Sequence, residues 1–293
     1  MNKPGSRRPI LARAILLCLL ATMATLATGC DWFTVRVALR NGNQAFNERN
    51  YDAAIEQYAK ILKVQPDHWE ANYYTAAAYM SLYHPGSTHP KDVEYAQKAI
   101  DAFKHCLDIG PPDAEQAAKV QEYYLGMLTS TERHQEAAQF MEQLVAKDPQ
   151  NVTLIGSLAQ MYARQGDFPN ALKYFERRTE VEPDNKEAWY TVGVVCWERS
   201  YKGGPTVSSE ERGMVIDKGL AALERALAID SGYFDALAYT NLMYREKSQW
   251  LAQLGKYDEA QQAFQMAEQF KAKATEVRDK GQAQQPQTAG SGT

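Results

Sequence analysis

Cysteine, proline and glycine are scarce in this chain: four, 12 and 18 of 293 residues. So little Gly and Pro excludes a collagenous or wholly disordered polymer. No Lys/Arg-rich run occurs, the formal net charge is −4 and the sequence pI is near 5.8, so the electrostatic footprint of a nucleic-acid binder is missing. The chain also lacks GxxxxGK[ST], a strand followed by GxGxxG, CxxC and HExxH, which removes the familiar nucleotide and zinc sites. The five histidines (68, 84, 89, 105 and 134) are scattered. His84 and His89 share one segment and read as loop residues that hydrogen-bond, not as metal ligands. No nucleophile with a base partner is recognisable, and acidic pairs such as Glu210-Glu211 or Asp258-Glu259 read as first-turn charges of helices. The expectation is a non-enzyme with no catalytic residue, no cofactor, no metal and no small-molecule substrate.

What the chain does have begins with a targeting segment. Lys3, Arg7, Arg8 and Arg13 form a basic start, Ala14 to Leu26 is an apolar run, and Ala27-Thr28-Gly29 lead to Cys30. That order is an export signal; the run from Ala14 to Gly29 is shorter than the ~20 residues of a membrane-spanning helix. Leu26-Ala27-Thr28-Gly29-Cys30 resembles the lipobox of bacterial lipoproteins, departing from it at Ala27, where the motif prefers Leu. The resemblance implies cleavage after Gly29 and acylation of Cys30 on its thiol and its freed amine, which anchors the protein to a membrane facing the periplasm. Asp31 resembles the inner-membrane retention signal of enteric lipoproteins. Removing residues 1–29 takes four positive charges and no negative one from the net −4, leaving −8. An acidic polymer or the anionic lipid surface itself is therefore not the expected partner.

Self-similarity organises the rest. Residues 42–66, GNQAFNERNYDAAIEQYAKILKVQP, match the tetratricopeptide pattern: Gly42 in a first helix, Tyr51-Asp52 at a turn, Ala54 four before Tyr58, then Pro66. The frame recurs with Ala76, Ala99, Phe103 and Pro111; with Gly126, Ala137, Met141 and Pro149; with Ala159, Tyr162, Gly166, Ala171, Phe175 and Pro183; with Gly193, Gly219 and Leu223; and with Tyr257, Ala260, Phe264 and Ala267. Gly42 and Ala76, and Leu125, Ala159 and Gly193, succeed one another at 34 residues, the tetratricopeptide period. The resemblance implies an all-α solenoid of about six helix-turn-helix repeats over residues 35–274, preceded by an anchored segment at 30–34 and closed by a C-terminal capping helix. Residues 275–293 should carry the helix end and a disordered tail, since Gly281 to Thr293 lacks charge.

Two intervals are long: Ala54 to Ala99 is 45 residues and Ala171 to Gly219 is 48. The surplus places inserted loops at 81–92 and 200–213, both between the helices of a repeat and therefore on one edge. Phe234 to Leu254 reads as an extended first helix. Cys106 and Cys196 occupy packing positions three repeats apart, too far for a disulfide, and read as buried free thiols.

In tetratricopeptide proteins the first helices line a concave groove that takes peptides. The repeat frame places Phe46, Tyr73, Met80, Tyr190, Val194, Trp197 and Leu242 on that face, with Asn43, Gln160, Arg164 and Arg245 between them. Aromatic and Met side chains supply contact area at low entropic cost. Family members that clamp a C-terminal carboxylate use Lys and Asn at set places on this face. Leu39 and Ala77 fill two of these and Asn43 alone fits, so that mode is not expected. The reading that follows is a membrane-anchored scaffold or adaptor of the bacterial cell envelope that binds a partner polypeptide. Related settings are lipoproteins that help assemble outer-membrane β-barrels or pilus secretins. The alternatives are a regulatory or catalytic subunit in envelope polysaccharide or peptidoglycan synthesis, and a soluble periplasmic chaperone-like binder.

Overall fold

The computed structural model describes residues 32–284, so the expected signal segment 1–29, Cys30 and residues 285–293 lie outside the described residues. Twelve α-helices and one 3-10 turn (Gly204–Thr206) make up the described residues: α1 over 32–47, α2 Tyr51–Val64, α3 Trp69–Leu82, α4 Pro90–Ile109, α5 Ala114–Ser130, α6 His134–Lys147, α7 Val152–Arg164, α8 Phe168–Val181, α9 Lys186–Lys202, α10 Ser209–Ile229, α11 Phe234–Gln253 and α12 Tyr257–Gln284. No strand occurs among them. The expected all-α repeat architecture is the observed one: six successive pairs of helices. None of the described helices is long and apolar enough to cross a membrane. The chain divides into two compact units, one ending at Ala137 and the other beginning at Ala138.

Local chemistry starts most of the helices. Asn50, Asp113, Asn151, Asp167, Asn185 and Ser208 each accept a backbone N–H of the following first turn on a side-chain oxygen, satisfying donors that have no partner inside the helix. His68 and His89 do the same with Nδ1, accepting from the N–H of Ala71 and Lys91 at 3.2 Å. His89 is thus the cap of α4, while His84 Nδ1 pairs with Asp92 Oδ1 at 2.9 Å. The two histidines serve different local bonds.

Four first helices (α1, α5, α7 and α11) end in one way. The N–H groups of Arg49, Glu132, Gly166 and Gly255 bond to the carbonyl three residues back, and those of Asn50, Arg133, Asp167 and Lys256 to the carbonyl five back, Ala45, Leu128, Tyr162 and Leu251. This is the Schellman ending, which needs a left-handed residue; φ is 59° at Arg49, 58° at Glu132, 74° at Gly166 and 75° at Gly255. The two remaining pairs, α3/α4 and α9/α10, have the inserted segments in its place.

Those insertions are shorter as loops than the repeat arithmetic implies. Of residues 81–92 only 83–89 lie outside helix, and of 200–213 only 203–208, half of them in the 3-10 turn. Most of the surplus lengthens α4, α9 and α10. Pro90 starts α4 where its missing N–H costs nothing. Ser208 caps α10, and the indole N–H of Trp250 donates to the Ser209 carbonyl at 2.9 Å, holding that new first turn against α11.

In the first unit α1 packs Val35, Leu39, Ala45 and Phe46 against a core of Ala54, Tyr58, Ile61 and Ala71. A Cβ on Gly42 would lie 2.6 Å from the Tyr58 ring, so the small residue of the repeat is what lets the hairpin close. In the second unit α9 rests on α10 and on α11, and α11 on α12; a Cβ on Gly193 of α9 would lie 2.5 Å from buried Leu223 of α10. Cys106 and Cys196 are buried free thiols, each pushed up to about 12 by burial.

Glu132→Gly and Arg49→Gly should each stabilise the protein by about 1 kcal/mol or less: left-handed strain of roughly 1–2 kcal/mol is relieved, partly offset by the unfolded-state freedom that glycine adds. Urea midpoints measure this, and a loss in both variants contradicts the assigned strain. The thiols add a pH dependence. Above an ordinary thiol pKa of ~8.5 the unfolded chain releases two protons that the native state keeps, so stability falls as pH rises from there toward 12, by up to about 1.4 kcal/mol per unit per thiol. A Cys106→Ala/Cys196→Ala protein should show a smaller drop in urea midpoint between neutral pH and pH ~9.5 than the wild type; an equal drop removes the thiols as the cause.

Candidate peptide-docking face

Helix α9 carries Tyr190, Val194, Trp197 and Tyr201 at a spacing of four, three and four, which puts all four on one side of the helix. The first helix of the next repeat, α11, lies alongside and contributes Tyr239 and, at its N-cap, Tyr233. Tyr190 meets Tyr233 and Tyr239 edge-on, both at 5.4 Å between ring centroids. Trp197 stacks on Tyr201 at 4.9 Å and meets Tyr239 edge-on at 5.4 Å. Five rings thus form a mutually braced strip across two first helices. Tyr190, Trp197, Tyr233 and Tyr239 are half-buried and Tyr201 is 60% exposed. Burial, then Tyr239 and Asp235, push the Tyr190 phenol up to about 12, so it stays a neutral hydrogen-bonding group. The strip is aromatic and partly open to solvent, the surface type that supplies anchors for a polypeptide.

The other sequence candidates divide. Val194 and Leu242 are half-buried on the same pair of helices, and Gln160 and Arg164 are exposed on α7. Arg245 is committed to α12, where it ion-pairs with Glu268 and lies over the Phe264 ring. In the first unit Asn43 spends its side chain internally, accepting the Tyr58 hydroxyl at 2.8 Å and donating to Glu70 at 3.2 Å. Phe46 packs onto the core with its ring against Tyr51 and Tyr74, and Met80 is half-buried on α3.

Tyr73 belongs to a second opening. It stacks on Trp69 at 5.2 Å, and the Trp69 indole N–H is fixed by the Cys106 carbonyl at 3.2 Å. These rings, with Glu70, Asp113, Gln116 and Lys119 from α3 and α5, line a cavity of about 580 Å³. Lys119 is held by Glu115 at 2.9 Å, whereas neither Glu70 nor Asp113 has a cationic partner among the described residues. Burial and neighbouring Tyr123 raise the Tyr73 phenol. Sequence reasoning missed Trp69, Tyr201, Tyr233 and Tyr239. Tyr201 was legible as Trp197 plus four, had helix α9 been carried through residues read as loop. No group of three or more His, Cys, Asp or Glu side chains placed to hold a metal ion occurs among the described residues.

Paired helices with small-residue contacts, αL-ended first helices and an aromatic first-helix face define a helical-hairpin repeat protein. Two family models described as tetratricopeptide repeat match residues 39–114 and 128–192. The chain belongs to the tetratricopeptide repeat family, whose fold is typically a protein-interaction module. Among curated proteins, the BBSome complex member BBS4 homolog of Drosophila melanogaster is 25% identical over 119 residues, 41% of this chain. The chain spans about a quarter of that relative's length, the match covering 24% of it. Among solved structures, a TPR repeats protein from Bacteroides fragilis is similar at 16% identity and TM-score 0.48, over 73% of this chain and 98% of that one. The C-terminal part of a TPR repeat-containing protein from Cytophaga hutchinsonii is 16% identical with TM-score 0.45, covering 83% and 80%. YrrB, described as a TPR protein with an unusual peptide-binding site, is 20% identical with TM-score 0.37, covering 68% and 88%.

If the α9–α11 strip is surface and not core, Trp197→Ala should cost about 1–2 kcal/mol, the worth of its ring contacts, while Tyr58→Ala, wholly buried, should cost about 3–5 kcal/mol. Chemical denaturation of the two variants decides; equal losses would make the strip part of the core.

Proposed function

We propose that this protein is a scaffold of the bacterial cell envelope, held to a membrane by acylated Cys30 on its periplasmic face, and that a partner polypeptide docks on its first-helix faces. The observation that carries the docking is the strip of Tyr190, Trp197, Tyr201, Tyr233 and Tyr239, five rings linked in a chain of contacts, half-buried except for exposed Tyr201. Such rings lose little entropy when a partner covers them. The cavity at Trp69 and Tyr73 adds selectivity. Its aromatic walls and the carboxylates of Glu70 and Asp113, which accept neutral hydrogen bonds from Asn43 and the Gln116 N–H but have no ion pair among the described residues, suit a basic side chain of the partner, through cation–π and charge-assisted contacts. The lipobox at 26–30 supports the anchor, and acyl chains on one residue are sufficient for stable attachment.

Photo-crosslinkers placed at Tyr190 and Trp197, followed by mass spectrometry, should capture one envelope polypeptide well above the yield from exposed second-helix positions such as Lys173 and Glu224. Capture no better than from those positions overturns the docking face. Palmitate label present in wild type and absent in Cys30→Ser supports the anchor, and its absence from the wild type removes it.

A further inference from the structure

Helix α1 differs in charge from the chain around it. From Trp32 to Asn47 it holds Arg36 and Arg40 and no acid, in a protein whose net charge is negative. Its two sides are also unlike. Val35, Ala38 and Leu39 pack toward the core of the first repeat, while Trp32, Phe33, Arg36 and Arg40 are exposed, Trp32 by 60% and Phe33 by 64%. The Arg36 guanidinium lies 5.3 Å from the centre of the Trp32 ring. At 100° per residue these four side chains fall within one sector of about 100°, opposite Ala38.

We propose that this sector of α1 seats in the headgroup region of an anionic bilayer, so that the first repeat is oriented on the membrane and not merely tied to it. This rests on the reading of Cys30 as the acylated residue. Two residues of chain extend at most about 7 Å, so the Trp32 backbone lies within that distance of the residue whose acyl chains enter the bilayer. The headgroup region of a leaflet is itself roughly 5–8 Å deep. Two large rings that are mostly exposed among the described residues are therefore delivered to the layer that tryptophan and amphipathic aromatic groups prefer. Arg36 and Arg40, one and two helical turns further on, lie where their guanidinium groups reach lipid phosphates. Asp31 is the one acid between the anchor and Glu48. A second polypeptide covering the same sector is the competing outcome.

The test uses the full acylated protein in vesicles containing phosphatidylglycerol, with palmitate incorporation verified first. The difference in fluorescence between wild type and Trp32→Phe isolates the emission of Trp32. Replacing part of the lipid with acyl-brominated lipid should quench most of that difference, and a water-soluble quencher should reach it several-fold less well than in detergent-free zwitterionic vesicles carrying the Arg36→Gln/Arg40→Gln protein. Each arginine contributes about fivefold to the local partition toward the anionic surface. A palmitate-labelled protein whose Trp32 emission is indifferent to bromolipid overturns the seating and leaves the anchor standing. Lack of palmitate label overturns the anchor and this proposal together. Quenching that survives the double arginine substitution unchanged overturns the assigned role of the phosphates.

Discussion

The fold depends on how closely the two helices of a hairpin approach. At Gly42 and Gly193 there is no room for a methyl group against Tyr58 and Leu223, and it is this missing volume that lets a large side chain of the second helix fill the gap. Interiors are close-packed, so one added carbon there must displace a neighbour. Close pairing of α9 with α10 and of α11 with α12 leaves the first helices α9 and α11 side by side. In the second unit that adjacency brings Tyr239 of α11 into contact with Tyr190 and Trp197 of α9. The aromatic strip is thus a product of the packing rule, since none of its rings needs a special local sequence to reach its neighbour.

Turns and insertions follow the same economy. Where no segment is inserted between the two helices of a repeat, the first helix ends in a Schellman turn with a left-handed residue, filled by Gly166 and Gly255 in two repeats and by Arg49 and Glu132 in two others. Where residues are inserted, the chain prefers more helix to more loop. Extra turns in α4, α9 and α10 satisfy their own backbone groups, and capping by His89 and Ser208 restarts the helix soon after it stops. The consequence for the surface is direct: α9 reaches Lys202, and so carries Tyr201 onto the strip.

Charge separates the two readings of the surface. A net negative chain argues against an anionic partner when it is treated as one body, yet α1 carries only positive groups, and screening confines exposed charges to a range of about 10 Å. What a lipid phosphate meets at Arg36 and Arg40 is that helix, not the whole-chain average. In the first-unit cavity Lys119 is paired with Glu115, while Glu70 and Asp113 have no cationic partner among the described residues beside Trp69 and Tyr73.

Period, small-residue positions and helix-stopping prolines were legible in the chain because each repeat is built from local contacts that recur at a set spacing. They led directly to the all-α hairpin repeat, to Gly42 as a small residue of a first helix, and to Cys106 and Cys196 as buried thiols. The first-helix frame also put Tyr190 and Trp197 on one side of α9. It could not show that Asn43 is spent on Tyr58 and Glu70, that Arg245 is paired to α12, that Phe46 turns to the core, or that Trp69 backs the cavity at Tyr73. Those outcomes depend on which groups from distant positions meet in space, and hydrogen bonds and ring contacts between residues 15 to 50 apart leave no periodic trace in the sequence. The repeat is local and therefore written in order along the chain; the face it presents is a sum of non-local meetings, which only the packed structure decides.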